Sequence, residues 1–208
     1  MDEENLRARS AQRTRWMECA QRGDREAYRA LLTDIASPLL GFLRRRIADP
    51  HELEDLYQDT LMALHRARHT YDSGRPFRAW LFTIVHNLLN DALRRRQRTP
   101  YVRSSEEATG KSSPDGIHGE SEREVGSDEH SPERLVAARQ STQALERALN
   151  ALPSDEATVL ILARVERMSY DDIGAVIGRS ATATKQLAYR ALKRLRGTLA
   201  AWGHSEEP

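Results

Sequence analysis

The chain has a single cysteine, Cys19, so an internal disulfide and a thiolate metal cluster are both excluded. Glycine is scarce at 11 residues, and aromatics make up only 6%. An all-β sandwich or barrel would need aromatic and β-branched runs punctuated by turns, so that class is disfavoured. No run of about 18 apolar residues occurs, and no membrane insertion is expected. The first residues, Met1-Asp2-Glu3-Glu4, are acidic and lead into no hydrophobic stretch, unlike a secretory signal, so the expected location is cytoplasmic. Net charge is nearly absent too: 32 Lys+Arg stand against 31 Asp+Glu, which argues at first sight against a polyanion binder. What is present is 30% charged and 39% hydrophobic residues over 208 positions, fitting an α-rich chain of one or two domains. Arg outnumbers Lys 29 to 3. Arg suits bidentate phosphate and base recognition, and a GC-rich genome produces the same bias.

The near-zero charge hides an uneven distribution. Residues 1–103 carry 19 basic and 14 acidic side chains, 104–134 carry 3 and 9, and 135–208 carry 10 and 8. The middle segment, net −6, is rich in Ser, Gly and Glu and nearly free of large apolar residues. It cannot bury enough surface to offset its ordering entropy and reads as a disordered linker. The expected organisation is a tail (1–15), a helical domain (16–103), an acidic linker (104–134), a second helical domain (135–202) and a tail (203–208). The fold class is all-α: two small helical domains joined by a flexible tether.

In the first piece, Asp24 caps a helix carrying Ala27, Leu31, Leu32 and Ile35. Pro38 is expected to open a second helix, closed by Asp49-Pro50, with Arg44-Arg45-Arg46 a solvated complement to the helix dipole. A third helix runs from about Glu52 to His69, with Glu54, Asp55, Gln58 and Asp59 as an acidic and amide patch. The loop Thr70–Pro76 follows, broken by Gly74 and Pro76. A fourth helix begins near Phe77 and ends in Arg94-Arg95-Arg96-Gln97-Arg98. A basic helix end beside aromatics suits single-stranded nucleic acid, with rings stacking on bases and Arg neutralising phosphates. Trp80 and Phe82 read as core, and Tyr71 as the exposed ring.

In the last piece, Ser131-Pro132 starts a helix, Leu152-Pro153 breaks it, and Ser154-Asp155-Glu156 is expected to cap the next. Ser169-Tyr170-Asp171-Asp172 begins a short helix in a capping-box-like way, Gly178 turns the chain, and Ser180 caps a long basic helix reaching about Ala200. A short helix, a tight glycine turn and a longer basic helix form a helix-turn-helix pattern, with the second helix in the major groove. It offers Thr182, Lys185, Gln186, Tyr189 and Arg190 to base edges or phosphates, and Lys193, Arg194 and Arg196 to phosphates or water.

These blocks, in this order, resemble the extracytoplasmic-function (ECF) branch of the sigma-70 family of bacterial RNA polymerase sigma factors. The resemblance rests on Asp55-Leu56-Tyr57-Gln58-Asp59-Thr60-Leu61, Phe77-Arg78-Ala79-Trp80-Leu81, Ile84-Val85-His86-Asn87 and Asp91-Ala92-Leu93-Arg94-Arg95 in the first domain. In the second it rests on Leu152-Pro153, Leu160, Met168 to Gly174 and Ile177-Gly178. It implies a non-enzymatic alternative sigma factor without cofactor or metal. Its partners would be promoter DNA, the largest-subunit clamp coiled coil and flap of core RNA polymerase, and an anti-sigma factor. The resemblance assigns Asp55, Gln58 and Asp59 to the clamp. It assigns Tyr71, Asp72, Ser73, Arg75, Trp80, Asn87, Asp91, Arg94 and Arg95 to the −10 element, where a flipped base is captured. Ser180, Thr182, Lys185, Gln186, Tyr189, Arg190, Lys193 and Arg194 would serve the −35 element. The acidic linker would thread the polymerase's basic channels; its r.m.s. span is about 30 Å, stretching to roughly 100 Å. One departure stands in the last helix, where Leu187 and Ala188 replace an Arg and a Leu, implying a slight rotation.

Two alternatives compete. A helix-turn-helix regulator that is not a sigma factor accounts for the last piece but not for the Phe77–Arg95 block. A metal enzyme could use His65 and His69 at i, i+4 spacing, with Asp72 the one extra ligand nearby. Cys19 is open to two readings, a redox sensor or a buried structural thiol.

Overall fold

The computed structural model describes residues 3–98 and 132–203, and every regular element among them is helical. They are α1 (Glu3–Gln21), α2 (Arg25–Arg44), α3 (Pro50–Ala67), a 3-10 turn (Arg68–Thr70), α4 (Phe77–Arg98), α5 (Pro132–Asn150), α6 (Ser154–Arg164), α7 (Tyr170–Ile177) and α8 (Ala181–Gly203). The acidic linker expected over 104–134 lies outside the described residues, apart from its last three, which begin α5.

The N-terminal half departs from expectation in three places. Residues 1–15 read as a tail in the sequence, yet α1 starts at Glu3 and packs on α2. Its attachment is largely polar: Arg9 and Arg13 both reach Asp34, at 2.8 and 2.5 Å, while Met17 and Ala20 alone of its described residues are buried apolar ones. Farther along, the side-chain amide of Gln21 donates to the carbonyls of Arg68 and Tyr71. The second departure is at Pro38, which lies inside α2 rather than at the start of a new helix. Proline removes one hydrogen bond, but the buried stripe Ala27, Leu31, Ile35, Leu39, Phe42, Leu43 runs unbroken across it, and that burial outweighs the lost bond. Third, Asp49-Pro50 opens α3 instead of closing its predecessor. Pro50 occupies the first turn, where its missing N–H costs nothing, and Asp49 accepts from the backbone N–H groups of His51 and Glu52. The cap at Asp24 forms as expected, accepting from Ala27 N–H at 2.9 Å.

In the C-terminal half Ser169 accepts from Asp172 N–H, and its hydroxyl donates to the Asp172 carboxylate, so α7 is capped by its own first turn. Gly178 closes it with φ +69°, and Ser180 accepts from Ala183 N–H to start α8. Gly174 has a different reason: a Cβ there would stand 2.5 Å from the Arg179 carbonyl oxygen, so only a bare Cα lets the turn fold back. Ser154 does not cap α6. Pro153 is the N-cap residue, and the Ser154 hydroxyl donates instead to Asn90 at 2.5 Å.

That bond belongs to a contact between the halves, in which α4 packs along α7 and the buried residues of both form one continuous apolar cluster. Arg46 was expected in solvent; it is 5% exposed, donating to the Leu149 carbonyl at 3.2 Å and lying 3.4 Å from Ser154 Oγ. Burial pulls its pKa down to about 10, which leaves it charged at neutral pH. Arg78 on α4 pairs with the Glu166 carboxylate and donates to the Glu166 carbonyl. His86 is buried beside Thr158 (Nδ1 to Oγ1 3.3 Å) and Asp155 (Nε2 to Oδ1 3.4 Å).

Candidate nucleic-acid interface

Four surfaces carry the residues singled out in the sequence. On α3, Asp55, Gln58 and Asp59 are all exposed, because the opposite side of the helix buries Leu56, Thr60 and Leu64. Gln58 donates to Glu54 at 2.9 Å, which holds one amide of the patch in place.

The second surface is the loop before α4. The Asp72 carboxylate accepts from Gly74 N–H at 2.9 Å, and Arg75 N–H donates to the Asp72 carbonyl at 3.0 Å, so the loop is a tight turn with Asp72, Ser73 and Arg75 outward. Tyr71 corrects the sequence expectation: it is 5% exposed. Its ring stands edge-on to Phe77 with centroids 5.6 Å apart and tilts against Trp80 at 5.3 Å. Its hydroxyl lies 3.0 Å from Thr14 Oγ1 and donates to the Arg75 carbonyl at 3.0 Å. Burial pushes the Tyr71 pKa up, so it stays a neutral donor. The accessible ring is Trp80, half-buried, with its indole N–H 3.4 Å from Thr70 Oγ1, while Phe82 is core.

The third surface is the outer face of α4, where Asn87, Asp91, Arg94 and Arg95 are exposed. Arg94 lies 3.8 Å from the Asp91 carboxylate and Arg95 donates to the Asp91 carbonyl, while Arg96 lies 3.7 Å from Glu52. These exposed pairs are weak and yield readily to a phosphate.

The fourth surface is α8. Thr184, Leu187, Ala188, Ala191 and Leu195 turn inward, leaving Thr182, Lys185, Gln186, Tyr189, Arg190 and Lys193 outward. The Leu187–Ala188 departure therefore falls on the buried face. Tyr189 is 73% exposed, and with Lys185, Gln186 and Arg190 it lines a shallow hollow of about 570 Å³. Arg194 is engaged with the nearly buried Glu156 at 3.0 Å, and Ser180 is engaged as a cap. A larger cleft of about 890 Å³ lies between the halves, with Arg94 and Arg96 of α4 and Arg190 of α8 among its walls.

His65 and His69 are both exposed, with His65 Nδ1 3.3 Å from the Tyr28 hydroxyl; among the described residues no group of three metal-ligating side chains comes together. Cys19 is half-buried, and Arg22 donates to its sulfur at 3.3 Å. Among the described residues no helix is long and apolar enough to cross a membrane.

Comparison with known proteins matches sigma-70 region 2 over residues 31–99 and sigma-70 region 4 over residues 142–195. The RNA polymerase sigma factor CarQ of Myxococcus xanthus is 30% identical over 187 residues, covering 88% of this chain and 95% of its own. The ECF RNA polymerase sigma factor SigF of Caulobacter vibrioides is 31% identical over 174 residues, covering 83% and 86%. Among solved structures, the sigma factor RpoE of Bartonella quintana, in complex with the anti-sigma factor NepR, superposes with a TM-score of 0.58 at 26% identity, covering 83% of this chain and 96% of its own.

Proposed function

Since the chain belongs to the extracytoplasmic-function branch of the sigma-70 family of RNA polymerase sigma factors, we propose the following division of labour among its surfaces. The protein is a bacterial alternative sigma factor that binds core RNA polymerase and directs transcription initiation. With α1 packed onto it from Glu3, the polymerase and −10 domain spans residues 3–103; residues 135–202 form the −35 domain, and 104–134 an acidic tether between them. The clamp coiled coil takes Asp55, Gln58 and Asp59. The −10 element takes Asp72, Ser73, Arg75 and Trp80 at the loop, and Asn87, Asp91, Arg94 and Arg95 on α4. Tyr71 supports this loop from beneath instead of touching the base. On α8, Lys185, Gln186, Tyr189 and Arg190 face base edges, Thr182 and Lys193 face phosphates, and Ser180 and Arg194 hold the helix in place.

The observation that carries this reading is the outward set on α8 (Lys185, Gln186, Tyr189, Arg190) together with the exposed basic end of α4. Two cationic reading surfaces in one chain fit a bipartite promoter, and base flipping at the −10 site costs a few kcal/mol that neighbouring phosphate contacts offset. The tether's net −6 fits passage through basic polymerase channels. The chain acts in the cytoplasm, performs no chemistry of its own, and is restrained by an anti-sigma factor.

The test is run-off transcription with purified core polymerase and start-site mapping. Asp55→Asn/Gln58→Ala/Asp59→Asn should abolish core binding without lowering the melting temperature, because all three side chains are exposed. Core binding that survives the triple change refutes the clamp assignment. Replacing the nine acids of 104–134 by Asn or Gln should weaken initiation, and unchanged transcription refutes the tether's role.

A further inference from the structure

We propose that the cavity walled by α1, α2, the start of α4 and the turn after α6 is a binding site for a di- or triphosphate group. It stands apart from the polymerase and promoter surfaces, since no residue lining it is among those assigned above.

The cavity has a volume of about 600 Å³. Its walls hold five arginines, Arg9, Arg13, Arg45, Arg78 and Arg167, and two carboxylates, Asp34 and Glu166. Cations therefore exceed acids by three around one concave space, which focuses a positive field into it. Asp34 takes both Arg9 and Arg13, and Glu166 takes Arg78. A guanidinium carries five N–H donors, so these arginines keep donors to spare once the pairs have formed. Arg13 is 6% exposed, and Arg78 has a buried Nε–H without a partner among the described residues. Burial pulls the Arg78 pKa down; Arg13 and Arg9 push it the same way, and Glu166 opposes them. An anion in the cavity relieves that crowding of like charges.

Arg167 adds a second, independent observation. Its φ is +51°, in the left-handed region that glycine or asparagine normally occupies. An arginine held there sets a cation at the cavity wall, and backbone strain of this kind gathers at ligand sites.

The chemistry of the wall selects the ligand. Arginine forks take phosphate oxygens two at a time. A lone phosphate brings a charge of about −2, whereas a phosphate chain brings more and can reach several guanidinium groups at once. The lining holds no aromatic ring, and its larger apolar members are Pro38 and Val165, so nothing in it reads a base. Free pyrophosphate and nucleoside triphosphates share the recognised group, and both occur wherever RNA is made.

The experiment is calorimetric titration of the full chain at about 0.15 M salt, where loose surface attraction is screened. Inorganic pyrophosphate should bind at one site per chain, at least tenfold more tightly than sulfate. At a hundredfold excess over its Kd it should raise the melting temperature by about 5–10 °C. Arg45→Gln/Arg167→Asn should weaken binding at least tenfold and leave the melting temperature of the free protein within about 3 °C, since asparagine tolerates the left-handed backbone. Arg94→Gln/Arg95→Gln, outside the cavity, should bind pyrophosphate as wild type does. ATP and GTP identify the source of the group: nucleotides that bind tenfold tighter than pyrophosphate make it a nucleotide tail, and otherwise it is free pyrophosphate. Both results support the site. No saturable binding of pyrophosphate, equal affinity for sulfate, or unchanged affinity in Arg45→Gln/Arg167→Asn overturns the proposal. Tighter binding of hexaglutamate than of pyrophosphate also overturns it, by making the cavity a contact for an acidic peptide.

Discussion

Thr14 and Tyr71 are joined by a hydrogen bond of 3.0 Å that ties α1 to the loop preceding α4. The same tyrosine hydroxyl donates to the Arg75 carbonyl, so one buried side chain fixes the base of the loop proposed to hold the −10 element. Tyr71→Phe keeps the ring against Phe77 and Trp80 and removes only the hydroxyl. It should cost about 1 kcal/mol, as should Thr14→Val, with the double variant costing less than the two together, since both remove the same bond. Thermal unfolding of the three proteins checks this. Promoter opening, followed by permanganate reactivity, should fall no further in Tyr71→Phe than its stability does, whereas Trp80→Ala should reduce it more.

Gly174→Ala should damage the helix-turn-helix without touching DNA. The added Cβ would meet the Arg179 backbone oxygen at 2.5 Å and Thr184 Oγ1 at 3.2 Å, and neither can withdraw without moving the start of α8. Overpacking of this kind costs about 1–3 kcal/mol. The expected outcome is a lower melting temperature and weaker binding to −35 duplex. Ala175→Ser, one residue on and exposed, should leave both unchanged.

Local signals were the ones legible in the sequence. Asp24, Ser169, Gly178 and Ser180 each act within a few residues of their own position, and each sits where its turn or cap was expected. Pro38 misled because proline's usual place at a helix start competes with a stripe of burial that only the tertiary fold reveals. Arg46 reads as one of three equivalent arginines, and only its partners 103 and 108 residues away set it apart. Tyr71 sits in a loop of polar residues, and what buries it, α1, was itself read as a tail because its docking depends on Arg13–Asp34 pairing more than on apolar spacing. Gly174 belongs to the family pattern in the sequence, but its reason, a backbone oxygen five residues on, exists only in three dimensions.

On α8 base recognition and phosphate attraction should separate by salt dependence. Lys193→Ala removes an exposed cation one turn beyond the hollow, so affinity should fall evenly across −35 sequences and the salt slope should drop by about 1. Gln186→Ala and Arg190→Ala should each cost about 1–3 kcal/mol on the preferred sequence and relax specificity at one position. Titrations on matched and mismatched duplexes at several salt concentrations check both. Arg194→Ala should behave differently from either, lowering the melting temperature because it strips the partner from the nearly buried Glu156.

His86 gives the contact between the halves a pH dependence. Burial pushes its pKa below the ordinary 6.5; Asp155 on α6 pulls the other way, and Arg46, in the turn after α2, reinforces the drop. Asn90 Nδ2, at 3.0 Å, donates to Nε2, a position that only the neutral ring leaves free to accept. In the folded protein the imidazole therefore resists the proton that it takes up near pH 6.5 once exposed. The unfolded or undocked chain binds more protons as pH falls below 6.5, so stability present above that value is lost progressively down to the depressed folded pKa. Melting temperature and interdomain energy transfer should both decline from pH 7.5 to 5.5. His86→Gln should flatten that decline while lowering stability at pH 7.5, because an amide keeps some of the polar contacts but takes up no proton. Equal pH slopes in the two proteins would assign the dependence to other groups.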